Sequence, residues 1–325
     1  MSFPTDRPRR LRRTAALRAL VAEHRLHPSD LVQPMFVREG IDEPRPIPAM
    51  PGQVQHTRES LRKAAAAAAQ AGVGGIMIFG VPEHRHPDGR GAWDERGIAQ
   101  LAIRDVAAEV GDTTVVISDV NLDEYTDHGQ VGLLDNDGDV DNDATLDAYA
   151  RVALAQACAG AHLVAPSGMM DGQVAAIRAG LDAAGHERVA ILSYAAKYDS
   201  AFYGPFRTAV ESSFTGARST HQQDPANLRE AIREVLLDIE EGADLVMVKP
   251  AGLYLDVVRR VADAVNVPVA AYQVSGEYAA IETAAQHGMV QRERAIEESL
   301  IAIRRAGARI VLTYWATEFA QRLRA

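Results

Sequence analysis

The feature that most constrains this chain is a regular alternation. Short apolar runs occur at residues 31–37, 74–80, 114–120, 161–166, 189–194, 245–250, 268–274 and 310–314. Alanine-rich segments with helical spacing lie between them, as at 59–71, 144–159, 173–184, 228–241 and 293–306. A short run that is apolar throughout reads as a strand buried on both faces. Eight such strands alternating with helices, without a change of composition between the halves, predict an α/β fold of the (β/α)8 TIM-barrel type. The rival is a doubly wound open sheet. Its nucleotide-binding forms need a Gly-x-Gly-x-x-Gly turn after the first strand or a Gly-Lys-Ser/Thr loop, and neither is present. The expected organisation is an N-terminal arm over 1–25 and a single barrel over 26–325.

Composition narrows the function. The 325 residues carry a formal net charge of -10, which argues against a general nucleic-acid binder. A single cysteine, Cys158, rules out a disulfide framework and a thiolate zinc cluster, and suits a reducing cytoplasm. No run approaches the roughly 20 apolar residues of a membrane span. The arm is basic, with Arg7, Arg9, Arg10, Arg12, Arg13 and Arg18, but lacks the apolar core of a secretory signal. Asp6 and two early prolines speak against a transit peptide. In an acidic chain, a basic arm reads better as a contact with a second subunit than with nucleic acid.

The chemistry concentrates at strand ends. In a barrel of this class the reactive groups sit where the strands finish, at their C-terminal ends. The candidates there are Phe79, Asp119, Ser167, Lys197, Lys249, Ser275 and Tyr314. Lysine is scarce: only Lys63, Lys197 and Lys249 occur, and the other 31 of 34 basic residues are arginine. Lys249 ends the apolar run 245–248 and precedes Pro250, which stops a strand because it has no N–H to donate. Poor solvation there lowers an amine's pKa, the usual route to a nucleophilic lysine. A snorkelling lysine is the plain alternative. Lys197 falls on the same rim, where each ammonium would disfavour the other, whereas Lys63 belongs to a solvated helix. The long connection 198–225 carries Phe202, Tyr203 and Phe206 together with Arg207, Arg218 and Gln222. A lid that closes over a carboxylate fits that mixture, because arginine grips carboxylate through a planar fork.

Other constellations carry less. The acidic run 135–143 mimics a calcium loop, but Asn142 and Ala148 stand where its glycine and bidentate glutamate belong, so it reads as a polar loop and helix cap. His84 and His86 have metal-like spacing without further ligands nearby. No Gly-x-Ser-x-Gly elbow occurs.

Several stretches together resemble the porphobilinogen synthase (5-aminolevulinate dehydratase) family. They are DVNLDEYTDHGQVG at 119–132, APSGMMDG at 165–172, Lys197 with FYGPFR at 202–207, MVKPAG at 247–252 and YQVSGEY at 272–278. The similarity runs in order from about Arg9 to the C-terminus. It implies a barrel whose arm embraces a neighbour, usually in an octamer. It also implies condensation of two 5-aminolevulinate molecules to porphobilinogen with loss of two waters, in tetrapyrrole (haem) biosynthesis. By the resemblance, Lys249 forms a Schiff base with the substrate that becomes the propionate side, and Lys197 with the one that becomes the acetate side. Ser275 and Tyr314 match positions that hold the first carboxylate. Arg207, Arg218 and Gln222 match those that hold the second, under a lid containing Phe202, Tyr203 and Phe206. Asp119 and Ser167 stand beside the second substrate, and Tyr272 counts among the substrate-binding residues. No organic cofactor is expected. Zinc-dependent relatives place three cysteines where this chain has Asn121, Asp123 and Val131, so no active-site zinc is expected here. Glu234 matches a glutamate that holds an activating magnesium at a subunit interface, although Gly168 replaces an aspartate of some such relatives. Magnesium activation therefore stays open. His221 stands where tyrosine is common. The competing reading is another Schiff-base barrel, a class I aldolase, which needs one lysine and a phosphate site at the last two strands. A nucleic-acid-binding protein using its arm is a further rival and predicts salt-dependent retention on DNA.

Overall fold

The computed structural model describes residues 5–214 and 218–324. Residues 1–4 of the expected arm, 215–217 of the expected lid and the C-terminal residue lie outside the described residues.

Among the described residues, ten strands form one sheet: β1 (Leu31–Arg38), β2 (Arg45–Pro46), β3 (Val54–His56), β4 (Gly75–Val81), β5 (Val115–Val120), β6 (Leu163–Pro166), β7 (Ala190–Lys197), β8 (Leu245–Lys249), β9 (Val269–Tyr272) and β10 (Ile310–Leu312). Eight of them, β1 and β4 to β10, pair in parallel and in chain order, and β10 returns to β1 through Leu31 with Val311 and Val32 with Leu312. The sheet is therefore a closed barrel. The two extra strands, β2 and β3, form an antiparallel flap, and β3 pairs with the far end of β1 at Phe36 and Val37. They are too short and polar to register as apolar runs. Inside the barrel, burial is continuous along β1 and β4, as expected for strands covered on both faces.

The helices among the described residues are α1 (Ala15–Leu20), α2 (Arg58–Ala71), α3 (Ile98–Val110), α4 (Asn142–Cys158), α5 (Gln173–Ala183), α6 (Gly204–Ala209), α7 (Arg229–Glu240), α8 (Leu255–Ala264), α9 (Ser275–Gln286), α10 (Arg292–Ala306) and α11 (Ala316–Arg324). α1 belongs to the N-terminal arm, where it buries no residue, and the later helices pack about the barrel. In α2, buried Leu61, Ala65, Ala68 and Ala71 recur at helical spacing and face the strands. Thr57 caps its start by accepting from the Ser60 N–H, and Gly72, at φ 80°, ends it in the left-handed conformation that glycine adopts without strain. The acidic run behaves as a hairpin and cap: Leu134 bridges Val140, and Asp141 accepts from the Ala144 N–H at the head of α4. Leu228 is the residue preceding α7.

Some boundaries differ from those read in the sequence. The connection 198–225 is partly helical, because a 3-10 turn (Ala201–Tyr203) runs into α6 with Pro205 near its start, where proline fits a helix. Phe79 lies within β4 rather than after it, and Ser275 opens α9 rather than ending β9. Lys197 is the last residue of β7, not a residue beyond it.

Candidate active site

The strand ends converge as barrel geometry requires. Lys197 and Lys249 are direct register partners across the β7–β8 ladder. Their neighbours explain how both amines reach one cavity. Ser193 pairs with Val246 and Ala196 with Val248, so β7 spends one residue more than β8 over this step, which is a β-bulge. Ser193 Oγ donates to Asp238 on α7 at 2.6 Å and thus faces the helices. Strict alternation would put Lys197 on that same outward face. The bulge reverses the parity, and Lys197 points inward together with Tyr194.

Around Lys249 four rings form a cage. The Nζ lies 4.5 Å from the Tyr272 centroid, 5.0 Å from Tyr194, 5.3 Å from Phe206 and 5.4 Å from Tyr203. Burial, joined by repulsion from Lys197, pulls its pKa down to about 7. Lys197 donates to the Ser167 carbonyl, and burial followed by repulsion from Arg218 brings it to about 8. Both amines thus have an accessible neutral form near neutrality, the nucleophilic state. Asp119, the penultimate residue of β5, is pushed up to about 6 by burial, against the pull of Lys197 and Lys249. Its Oδ2 accepts from Ser167 Oγ at 3.0 Å, and that hydroxyl accepts from Asn121 Nδ2 at 3.0 Å. The other carboxylate oxygen of Asp119 is buried without a partner. A buried carboxyl near neutrality beside two amines is suited to moving protons.

The lid closes this cavity. Phe206, on α6, packs edge-on to Phe79 at 5.2 Å and against Phe36 at 5.8 Å. Arg207 and Arg218 flank the Phe214 ring at 5.9 and 5.2 Å. Arg207, Arg218 and Gln222 line the cavity with Lys197, Lys249, Asp119 and Ser167, so the arrangement brings these sequence candidates together. Both ends of the Gln222 amide are buried without partners. Ser275, Tyr314 and Tyr272 are not among the residues that line this cavity; of the three, Tyr272 lies against the Lys249 amine and Ser275 meets the lid at Phe206. Ser275 Oγ accepts from the Phe206 N–H at 2.9 Å, and the Tyr314 and Tyr272 hydroxyls meet at 3.1 Å. Phe202 is half-buried against the core, and Tyr203 donates its hydroxyl to the Tyr198 carbonyl at 2.7 Å.

Glu234 is not in this cavity. It sits on α7 in an outer cleft shared with Asp139, Asn142, Asp171 and Glu230, and burial, then Asp171 and Glu230, raise its pKa. His86 hydrogen-bonds Arg90 and His84 is exposed. Lys63 is exposed on α2 and pairs with Glu59 at 3.1 Å.

The three positions that would carry zinc thiolates do not fit that ion. Val131 is fully buried and offers no donor, Asn121 spends its amide on Ser167 and on the Leu122 N–H, and Asp123 is paired with Arg218 at 2.7 Å. Gly168 has a cause too. A Cβ there would lie 1.6 Å from the Tyr149 hydroxyl, so no aspartate can stand at 168 while Tyr149 holds the Val131 carbonyl at 2.8 Å.

Tyr194 escaped the sequence reading, because nothing in a tyrosine on an apolar strand reveals that its ring will lie beneath two amines. In the sequence, Asp123 stands out only as a residue in place of a cysteine. Its arginine partner is 95 positions away, and no local pattern announces the pair.

A closed parallel barrel whose rim presents two desolvated lysines beside a buried carboxyl is a Schiff-base-forming barrel enzyme. The family model for delta-aminolevulinic acid dehydratase matches residues 5–322, and the chain belongs to that family. It is 63% identical to the delta-aminolevulinic acid dehydratase of Streptomyces coelicolor, over 99% of this chain and 98% of the relative. It is 62% identical to that of Mycobacterium tuberculosis, over 98% of each, and 46% identical to that of Escherichia coli, over 98% and 97%. A crystal structure of the Toxoplasma gondii enzyme, a porphobilinogen synthase in complex with its product porphobilinogen, superposes with a TM-score of 0.94. It is 40% identical, covering 98% of this chain and 91% of that one. These similarities displace the aldolase and nucleic-acid readings.

Proposed function

We infer that the chain condenses two molecules of 5-aminolevulinate to porphobilinogen, releasing two waters, in tetrapyrrole biosynthesis. The observation that carries this is the facing pair Lys197 and Lys249: two amines for two ketones within one closed cavity. Each neutral amine adds to a substrate carbonyl and expels water to give an imine. The Lys197 imine acidifies the adjacent carbon, which adds to the Lys249 imine carbon to form the C–C bond; the Lys249 amine then leaves by elimination, and the Lys197 amine leaves when the ring nitrogen replaces it. Lys249 takes the propionate-side substrate and Lys197 the acetate-side one.

Asp119, with Ser167 oriented against it, moves protons beside the second substrate. Arg207, Arg218 and Gln222 receive that substrate's carboxylate. Gln222 has two unpartnered amide atoms to offer. Ser275 and Tyr314 receive the first carboxylate, the Ser275 hydroxyl being fixed by the Phe206 N–H of the lid. Tyr272, Tyr203 and Phe206 exclude water around Lys249 and so favour its neutral amine, with Phe202 packed beside them in the lid.

The active site works without zinc, because the donor set at 121, 123 and 131 is wrong for it. Magnesium, where it activates, would be held through Glu234. Among the described residues no group of three or more His, Cys, Asp or Glu side chains could hold a metal within one chain, so the remaining ligands would come from water or from a second subunit. Self-association through the arm, with an octamer as the expected assembly, and a cytoplasmic location complete the proposal. No helix among the described residues is long and apolar enough to cross a membrane.

The test is borohydride reduction in the presence of 5-aminolevulinate and chelator, followed by peptide mass mapping. A reduced adduct on Lys249, with or without one on Lys197, is expected. An adduct that forms only after zinc is restored would overturn the zinc-free reading, and no adduct under any condition would overturn the reaction.

A further inference from the structure

We propose that Asp123 is a positioning residue for the second substrate: it clamps the lid's Arg218 over Lys197 in the orientation that receives a carboxylate. The inference deepens the reaction assigned above and rests on it.

The pair is built, not incidental. Asp123 lies in the turn after β5 and is 2% exposed, and Arg218 in the lid is 7% exposed. Arg218 Nη1 donates to Asp123 Oδ2 at 2.7 Å, and Nη2 donates to the Gly129 carbonyl at 3.1 Å in the same turn. The Phe214 ring lies 5.2 Å from the guanidinium carbon. Beside it, Ser213 Oγ donates to the Asp127 carbonyl at 2.8 Å, and Arg85 ties the Glu124 and Val210 carbonyls together at 2.9 and 2.8 Å. The lid and the β5 turn are thus stitched at several points, and the ion pair is a charged contact buried on both sides.

What the clamp leaves free is informative. A guanidinium has five N–H donors, and two are used here. The Nε is buried with no partner, in a side chain lining the same cavity as Lys197. A carboxylate arriving in that cavity finds this donor already oriented, so less ordering is left to be done at binding. Asp123 also balances the site. Lys197 feels Arg218 as repulsion and Asp123, Asp119 and Glu124 as attraction, with Lys249 as the second amine. Without the Asp123 charge, an unpaired buried guanidinium would face the amine. Breaking one side of a buried pair is costly for that reason.

The experiment uses the full-length chain with Asp123→Asn, Asp123→Ser as a second neutral variant, and Asp123→Glu as the conservative replacement. Each is measured for steady-state kinetics with 5-aminolevulinate, for borohydride trapping at Lys249 and at Lys197, and for thermal unfolding. The expected result is a KM raised about tenfold or more in the neutral variants, as for loss of a charged hydrogen bond. Trapping at Lys249 stays near wild type, trapping at Lys197 falls, and Asp123→Glu restores part of the KM. A folded neutral variant with wild-type KM overturns the proposal. So does a variant in which trapping at both lysines falls in parallel with stability, since that is a structural role only. If wild-type protein forms no adduct with 5-aminolevulinate, the reaction itself is wrong and the inference falls with it.

Discussion

Lys197 and Lys249 stand opposite each other on neighbouring strands and share one aromatic floor, with the Tyr194 centroid 5.7 Å from the first Nζ and 5.0 Å from the second. Two ammonium groups so placed cannot both hold their protons at ordinary lysine pKa values. Burial is the larger cause for each, and the positive charge of a neighbour adds to it.

A pH dependence follows directly. Lys249 lies at about 7 and Lys197 at about 8, below the ordinary lysine value of about 10.4. We expect kcat/KM to rise with pH as the amines lose their protons and to level off above this range, with apparent values that belong to the pair. Stability moves the same way. The unfolded chain binds more protons than the folded one from about 7 to about 10.4, so stability rises with pH across that window and is lost as pH falls through it. Rate profiles and denaturant titrations at matched pH check both. A rate still climbing at the ordinary lysine pKa would contradict the buried pair.

Replacing each lysine separates the two amines. Lys249→Met is expected to lower kcat by roughly 10⁴-fold or more, as removal of a nucleophile does. Lys197→Met is expected to stop turnover while keeping a borohydride adduct at Lys249. Mass mapping of the trapped variants distinguishes this from a site in which only one amine matters, for which Lys197→Met would retain turnover.

Asp119→Asn removes the carboxyl that burial holds near 6 and leaves its hydrogen bond to Ser167 largely intact. A drop in kcat of about 10²–10⁴ is expected, with little change in melting temperature. Wild-type turnover in a folded variant would remove Asp119 from the proton pathway.

Gly168→Ala should be costly despite its size. The new Cβ would overlap the Tyr149 hydroxyl, so Tyr149 must leave the Val131 carbonyl or the β6 turn must move. A loss of roughly 1–3 kcal/mol or more is expected from such overpacking, measured by denaturant unfolding. A neutral substitution would show that Tyr149 is free to swing away.

Chelation tests the donor set at 121, 123 and 131. Enzyme stripped of divalent ions is expected to keep forming the Lys249 adduct, with magnesium, where it acts, changing turnover rather than imine formation. Mapping after chelation, with and without each ion restored, is the measurement.

How much of this was legible beforehand follows from which interactions are local. The eight barrel strands are visible because strands buried on both faces must be apolar throughout, and the helices because their buried positions recur every three to four residues. The β2–β3 flap is invisible on the same grounds: it is short, and Arg45 and Pro46 are exposed. The helical nature of the lid start was missed because a six-residue helix such as α6 has too few positions to show a period.

The sequence by itself determined the barrel, the placement of reactive groups at strand ends and the two scarce lysines that carry them, because each is a property of a residue and its immediate neighbours. Tertiary structure alone decided which way those groups point. A single extra residue in β7 turns Lys197 from the helix layer into the cavity. Asp123 meets Arg218 across 95 positions, and Tyr149 claims the space above Gly168. These relations depend on parity, register and excluded volume, which exist only once the sheet has closed and distant segments share the same few ångströms.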